Sequence, residues 1–181
     1  MTAPSASARA VMAFANSVDL EEGTDELASP AAFGQWLLDS RLVPARCAVT
    51  AHEHAQGLRL RAGIREILGP DGPRPHVLSE ADSALRDLPL LVSTSSLLRP
   101  DPDALLPDPG LPAVPRALSA LAASLATVLI TGEVTRVKRC PAADCGWVFW
   151  DSSKNRSRRW CSMRVCGNRA KARSYAARHY R

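Results

Sequence analysis

The chain has 181 residues, 46% of them apolar and 23% charged, which allows one domain of ordinary size with a real core plus a small additional module. Its net charge of +5 hides a division: residues 133–181 carry thirteen Lys or Arg against three acids, a net of +10, whereas residues 1–132 carry ten against fifteen, a net of −5. With no run of about 18 apolar residues, and no basic start followed by an apolar stretch and a cleavage site, the expectation is a cytoplasmic protein that spans no membrane and keeps its thiols reduced.

Ala8 to Ala15 is alanine-rich and predicts a short first helix ending near Asn16 and Ser17. After an acidic turn, Ser29-Pro30 predicts the start of a second, because Ser caps orphan N–H groups and Pro is tolerated at the first helical position. Phe33, Trp36, Leu37 and Leu38 carry it to about Leu42. A third helix is predicted from Ala45 to about Leu68, stopped by Gly69 and Pro70. Leu58, Arg61, Arg65 and Leu68 mark one edge of it, and Leu60, Ile64 and Ile67 another. His52 and His54, two residues apart, turn to different faces and predict no shared metal. Cys47 reads as a small buried residue.

Gly69 to Pro75 reads as a loop. Ser79 predicts a short helix through Leu88, with Asp82 in the capping-box position. Leu90 to Leu98 reads as the one strand of the first domain, and Pro100 to Pro115, with six prolines, as a stretch without regular structure. Val114, Leu118, Leu121, Leu125, Val128 and Leu129 recur at steps of three or four, predicting a well-buried helix from about Pro115 to Thr131. Gly132 ends it and divides a first domain, 1–132, from a second, 133–181.

In the second domain Val134 to Lys138 and Trp147 to Trp150 predict a β-hairpin, Ser152 to Arg159 a polar loop, and Ser162 the cap of a last helix through Tyr180. Four cysteines punctuate it as C-x4-C-x15-C-x4-C: Cys140, Cys145, Cys161 and Cys166. Two loops each presenting two thiols can place four sulfurs at the corners of a tetrahedron, the arrangement of a closed structural Zn²⁺ site. Two disulfides or unrelated core thiols are the alternatives. Four thiolates on Zn²⁺ leave a charge of about −2, which Lys138, Arg139, Arg158, Arg159, Arg164 or Arg169 could offset. These residues also fit a plain basic tail.

The segment resembles the CGNR zinc finger family through Cys166-Gly167-Asn168-Arg169. The match extends over Cys140, Cys145, Trp147, Phe149, Asp151, Ser153, Asn155, Arg158, Arg159, Trp160, Cys161, Ser162, Met163 and Lys171. The first domain resembles the ABATE domain that usually precedes this finger, through Phe14-Ala15-Asn16-Ser17, Asp25, Leu27, Pro30 and Trp36-Leu37. Ser17 stands where that family more often has Thr. The resemblance implies a stress-linked bacterial transcription regulator of mainly α class. It would join an N-terminal helical regulatory domain with a minor β element to a small treble-clef or ribbon-like finger of β-hairpin and helix.

A basic finger on an acidic body suits a partner such as double-stranded DNA. The candidate contacts are Arg156, Arg158, Arg159, Arg164, Asn168, Arg169, Lys171, Arg173 and Arg178. Arg164, Asn168, Lys171 and Arg178 fall on one side of the last helix, and Val165, Ala172 and Ala176 on another. Arg suits guanine and Asn adenine, since each makes two hydrogen bonds to one base. Asn168 and Arg169 read equally well as hydrogen-bonding partners of the metal site. Trp147, Phe149 and Trp150 could stack on bases or fill the finger's own core. A finger that binds protein is the alternative function. Catalysis is not expected: the chain has no Gly-rich phosphate loop, H-E-x-x-H or Gly-x-Ser-x-Gly, and four thiolates leave no position for a catalytic water. A small-molecule ligand of the first domain and a homodimer are both compatible with the pattern.

Overall fold

The computed structural model describes residues 3–71, 74–85, 90–92 and 105–179. Helix α1 (Ala6–Ala15) begins at Ser5, whose Oγ accepts the Ala8 N–H at 3.1 Å, and turns Ala8, Val11, Phe14 and Ala15 wholly inward. A two-stranded ribbon follows, β1 (Val18–Asp19) against β2 (Thr24–Asp25), within the stretch predicted only as an acidic turn. Helix α2 (Pro30–Asp39) starts at the predicted Ser29 cap but ends three residues before Leu42, where Arg41 takes a left-handed φ of 58°. Its Trp36 ring lies 5.4 Å from that of Phe14.

Helix α3 (Ala51–Ile67) begins later than the predicted Ala45, because Thr50 and Glu53 form a reciprocal capping box that satisfies the first free N–H groups. Helix α4 (Pro75–Leu85) begins at Pro75 rather than Ser79: proline lacks only an N–H that a first-turn residue does not need, so it opens the helix instead of closing the loop. Within the proline-rich stretch, Leu105–Pro107 (β4) pairs antiparallel with Leu90–Val92 (β3), which corrects the reading of that stretch as free of regular structure. Residues 93–98, the rest of the predicted strand, lie outside the described residues.

Helix α5 (Ala113–Ile130) starts two residues before the predicted Pro115, which falls in the first turn. It is the centre of the core. Val114, Leu118, Leu121 and Val128 are almost wholly buried and Leu125 nearly so, against side chains from α1, α2 and α3. Leu129, placed on that stripe by its spacing, is instead exposed. The helix is apolar and long enough to cross a membrane by length and composition alone, but half of it is covered by the rest of the protein, as a core helix requires.

After a 3-10 turn (Glu133–Thr135), β5 (Val137–Arg139) and β6 (Val148–Trp150) form the predicted hairpin with Val137 opposite Trp150 and Arg139 opposite Val148. A π-helical turn (Met163–Gly167) leads into α6 (Asn168–His179). The change of charge at Gly132 is not a break in packing. Val137 and Val148, each 1% exposed, belong to the same apolar cluster as Leu118 and Phe14. Both edges of the hairpin are hydrogen-bonded to the helical body: Arg139 N–H donates to the Leu68 carbonyl at 2.8 Å, and Asn16 grips Val148 on the other side.

Candidate metal centre

The four predicted cysteines converge. One sulfur from each lies within 4.8 Å of all the others, and the Cys145–Cys161 and Cys161–Cys166 sulfur pairs are each 3.5 Å apart. A regular tetrahedron of sulfurs about 2.3 Å from a central ion has edges of about 3.8 Å, so the set fits one tetrahedral ion. All five cysteines are free thiols, and Cys47 stands apart from this cluster. The donor set fits a borderline-soft ion such as Zn²⁺. Burial, which outweighs the hydrogen bonds with Trp147 and Cys161, pushes the Cys145 thiol up to about 11; burial and the neighbouring thiols together drive Cys161 higher still. In Cys140 backbone and thiol hydrogen bonds overcome the same burial and lower it.

Local geometry explains the spacing. The first pair sits on a knuckle in which Cys145 and Gly146 N–H both donate to the Ala142 carbonyl, at 3.0 and 3.2 Å, while Cys140 N–H reaches back to Trp147 O at 2.8 Å. Gly146 has φ +59°, and a Cβ there would stand 2.8 Å from the Arg65 guanidinium. The second pair spans the π turn, whose extra residue per turn folds Cys166 inward before the α-helix starts. Gly167 lies against the end of the exposed Met163 side chain, which a Cβ would meet at 2.5 Å and push aside. Asn168 Nδ2 donates to the Arg164 carbonyl at 3.1 Å, tying α6 to the turn.

Arg169 answers the question its sequence position left open. Its Nη2 donates to Cys166 Sγ at 3.6 Å and Glu21 at 3.1 Å, and its Nη1 to Asp144 at 3.0 Å. Its hydrogen bonds to Glu21 and then to Cys166 hold its pKa above the ordinary value. It is a partner of the metal site and of the body. Two other candidate contacts are also engaged. Arg158 lies over the Phe149 ring at 4.7 Å and bonds the Trp160 and Cys161 carbonyls, and Arg173 pairs with Asp144 at 3.5 Å. Arg164, Asn168, Lys171 and Arg178 are exposed, as are Arg156 and Arg159; Arg159 lies over the Trp160 ring.

The polar loop is held by Asp151, wholly buried. Its carboxylate accepts Ser153 N–H and Oγ, Arg158 N–H and Lys138 Nζ, at 2.9, 2.6, 2.9 and 2.7 Å. Burial alone would raise its pKa, but the Lys138 and Ser153 hydrogen bonds outweigh that and hold it well below the usual carboxylate range. Lys138 Nζ is completed by the Arg156 and Arg158 carbonyls, so this lysine braces the loop rather than screening the sulfurs. Phe149 is buried with the cysteines, and Val148 and Trp150 pack on the body; Trp147 alone of the hairpin aromatics is exposed.

Three residues take roles that the sequence left open. Asn16 receives the Val148 N–H on Oδ1 at 2.7 Å and donates Nδ2 to the Val148 carbonyl at 2.8 Å, mimicking a neighbouring strand. Ser17 Oγ donates to the Phe14 carbonyl and accepts from Arg61. Arg65 approaches the knuckle from α3; its only sequence signal was a charge on a leucine edge. These features define a four-cysteine metal finger whose hairpin is docked into a helical body. The chain belongs to the ABATE family, described as "Putative stress-induced transcription regulator", which matches residues 8–132; residues 136–179 match the CGNR zinc finger. No curated protein matches the chain.

Proposed function

We propose that the protein is a transcription regulator of the cytoplasm whose finger holds one Zn²⁺ and binds double-stranded DNA, while the helical body responds to a small ligand. The observation that carries the reading is α6. This helix of 12 residues contains no acid and buries no side chain. A helix gains most of its stability from packing an apolar face, so one that packs none while presenting Lys171 and Arg178 fits a charged partner. Arg156, Arg159, Arg164 and Arg178 then neutralise phosphates, and Lys171 with Asn168 has access to base edges. Four thiolates complete the coordination of Zn²⁺ and leave no open position, so the metal supports structure and the protein is not an enzyme.

Exposed Met163, Val165 and Tyr175 favour the second reading, a finger that binds protein. Binding of metal-replete protein to genomic DNA fragments, titrated with salt, separates the two. Phosphate contacts predict affinity falling steeply with salt. Absence of binding at low salt, together with salt-insensitive capture of a protein partner, would leave the second reading standing.

A further inference from the structure

Four guanidinium groups line one cleft of about 420 Å³ between the helical body and the finger: Arg61 and Arg65 from α3, Arg74 immediately before α4, and Arg139 from β5. Two are matched. Arg61 makes a two-pronged pair with Asp25, both contacts at 2.7 Å, and Arg74 another with Glu66 at 2.7 and 3.0 Å. The other two are matched less well. Arg65 is 8% exposed and donates to the Ala15 carbonyl at 2.6 Å, with no carboxylate within ion-pair distance among the described residues. Arg139 has its nearest carboxylate oxygen at 3.9 Å, on the Glu66 already held by Arg74, and its buried Nε lacks any hydrogen-bond partner.

A buried charge only partly answered by an opposite one is costly, and two like charges near each other add to the cost. Burial, then the charges of Arg139 and Arg61, depress the Arg65 pKa, which places these cations within electrostatic reach of one another. Cys145 answers part of the Arg65 charge from the knuckle side, but no sulfur hydrogen-bonds to Arg139 among the described residues. The rest of the wall is Val18, Leu58, Ala62 and Val77 together with the Glu66 carboxylate that Arg74 holds, while His76 and Glu80 are exposed at the rim.

We propose that this cleft binds a small organic anion, with a phosphate or carboxylate head bridging Arg65 and Arg139 and a short apolar body against Leu58 and Val77. Planar guanidiniums present paired donors matched to such oxyanions. Because Arg65 belongs to the body and Arg139 to the finger hairpin, the anion would sit across their junction. This locates the ligand-sensing part of the function proposed above and rests on that part alone, not on DNA binding.

The test uses full-length, metal-replete protein without DNA, titrated calorimetrically with phenyl phosphate and with benzoate at constant ionic strength. At least one should bind saturably, and which one binds identifies the head group. Arg139→Gln and Arg65→Gln should each weaken that binding by roughly tenfold or more, whereas the double variant Arg164→Ala, Lys171→Ala should not. Should Arg65→Gln lose metal or fold, Arg139→Gln decides, since its side chain is 27% exposed and its loss leaves no large void. No saturable binding of either probe, binding unchanged in Arg139→Gln, or binding abolished by the α6 variant would each overturn the proposal. None of these outcomes bears on the finger's affinity for DNA.

Discussion

Helices α5 and α6 show two ways for one chain to keep a helix. The first, Ala113–Ile130, buries a continuous apolar stripe at the centre of the body. The second, Asn168–His179, buries nothing and is joined to the protein at its N-terminal end, through Cys166, the Asn168 bond to the π turn and the Arg169 bridge. Packing fixes one along most of its length; side-chain and thiol contacts fix the other over its first half. A helix fixed at one end leaves its remaining length free for a partner, and the core helix has no such freedom.

The largest effect should come from removing the anchor. Structural metal sites in small modules contribute on the order of 10 kcal/mol of folding free energy. Cys161→Ala is therefore expected to lose the bound metal and the helicity of α6. Limited proteolysis should cut near residues 152–179 first, while the α5 core keeps its protection against hydrogen exchange. Elemental analysis showing one zinc retained, with the tail still protected, would contradict the centre described above. The complementary change, Leu121→Ala in α5, should cost about 2–5 kcal/mol and lower the midpoint of the whole cooperative transition, because a 1% exposed side chain leaves a cavity where it is cut back. If it loosened only one segment, α5 would not be the shared core.

A smaller effect tests how the two regions are coupled. Asn16→Ala removes both bonds to Val148 and leaves a backbone N–H and carbonyl at the hairpin edge without their partner, a loss of about 1–3 kcal/mol. Asn16→Asp is the sharper probe: it keeps the acceptor for the N–H but sets a carboxylate against the Val148 carbonyl. Differential scanning calorimetry should show both variants destabilised, the aspartate more so above its pKa. A fragment ending at residue 132 forgoes these bonds and the burial of Val137 and Val148, each burial worth about 1.5–3 kcal/mol. It should be markedly less stable than one carried through Trp150.

The local parts of this structure were legible in the sequence. The cysteine spacing led to the cluster of four thiols, Ser29-Pro30 to the start of α2, and the Val114 to Val128 stripe to the core helix, because each signal is a pattern within one segment. What stayed hidden depends on partners far along the chain. Arg169 reads equally well as a base contact or as a partner of the metal site until Glu21, 148 positions away, is placed beside it. Asn16 likewise waits for Val148, 132 positions on. Pro75 and the prolines before α5 read as breakers because composition does not tell a first turn from a loop. The net positive charge of the tail was visible from the start; which arginines spend it internally was not.

The smallest effect on stability, and the most direct on the proposed function, should come from the free side of α6. Lys171 is exposed, forms no ion pair among the described residues, and lies on a helix without buried side chains, so Lys171→Ala should change stability by no more than about 0.5 kcal/mol. If this helix lies on DNA, the same change should weaken binding and reduce the slope of log affinity against log salt by about one. Should Lys171 instead read a base, affinity for a preferred sequence would fall by about 1–3 kcal/mol while the salt slope stayed nearly constant. Arg169→Lys supplies the contrast. It keeps the charge but breaks the fork that joins Cys166, Asp144 and Glu21, so zinc retention and stability should fall in the free protein before any effect on DNA is measured. Equal loss of metal in both variants would show that Lys171 also supports the finger. Unchanged DNA binding in Lys171→Ala and Arg178→Ala together would exclude the exposed face of α6 as the nucleic-acid surface.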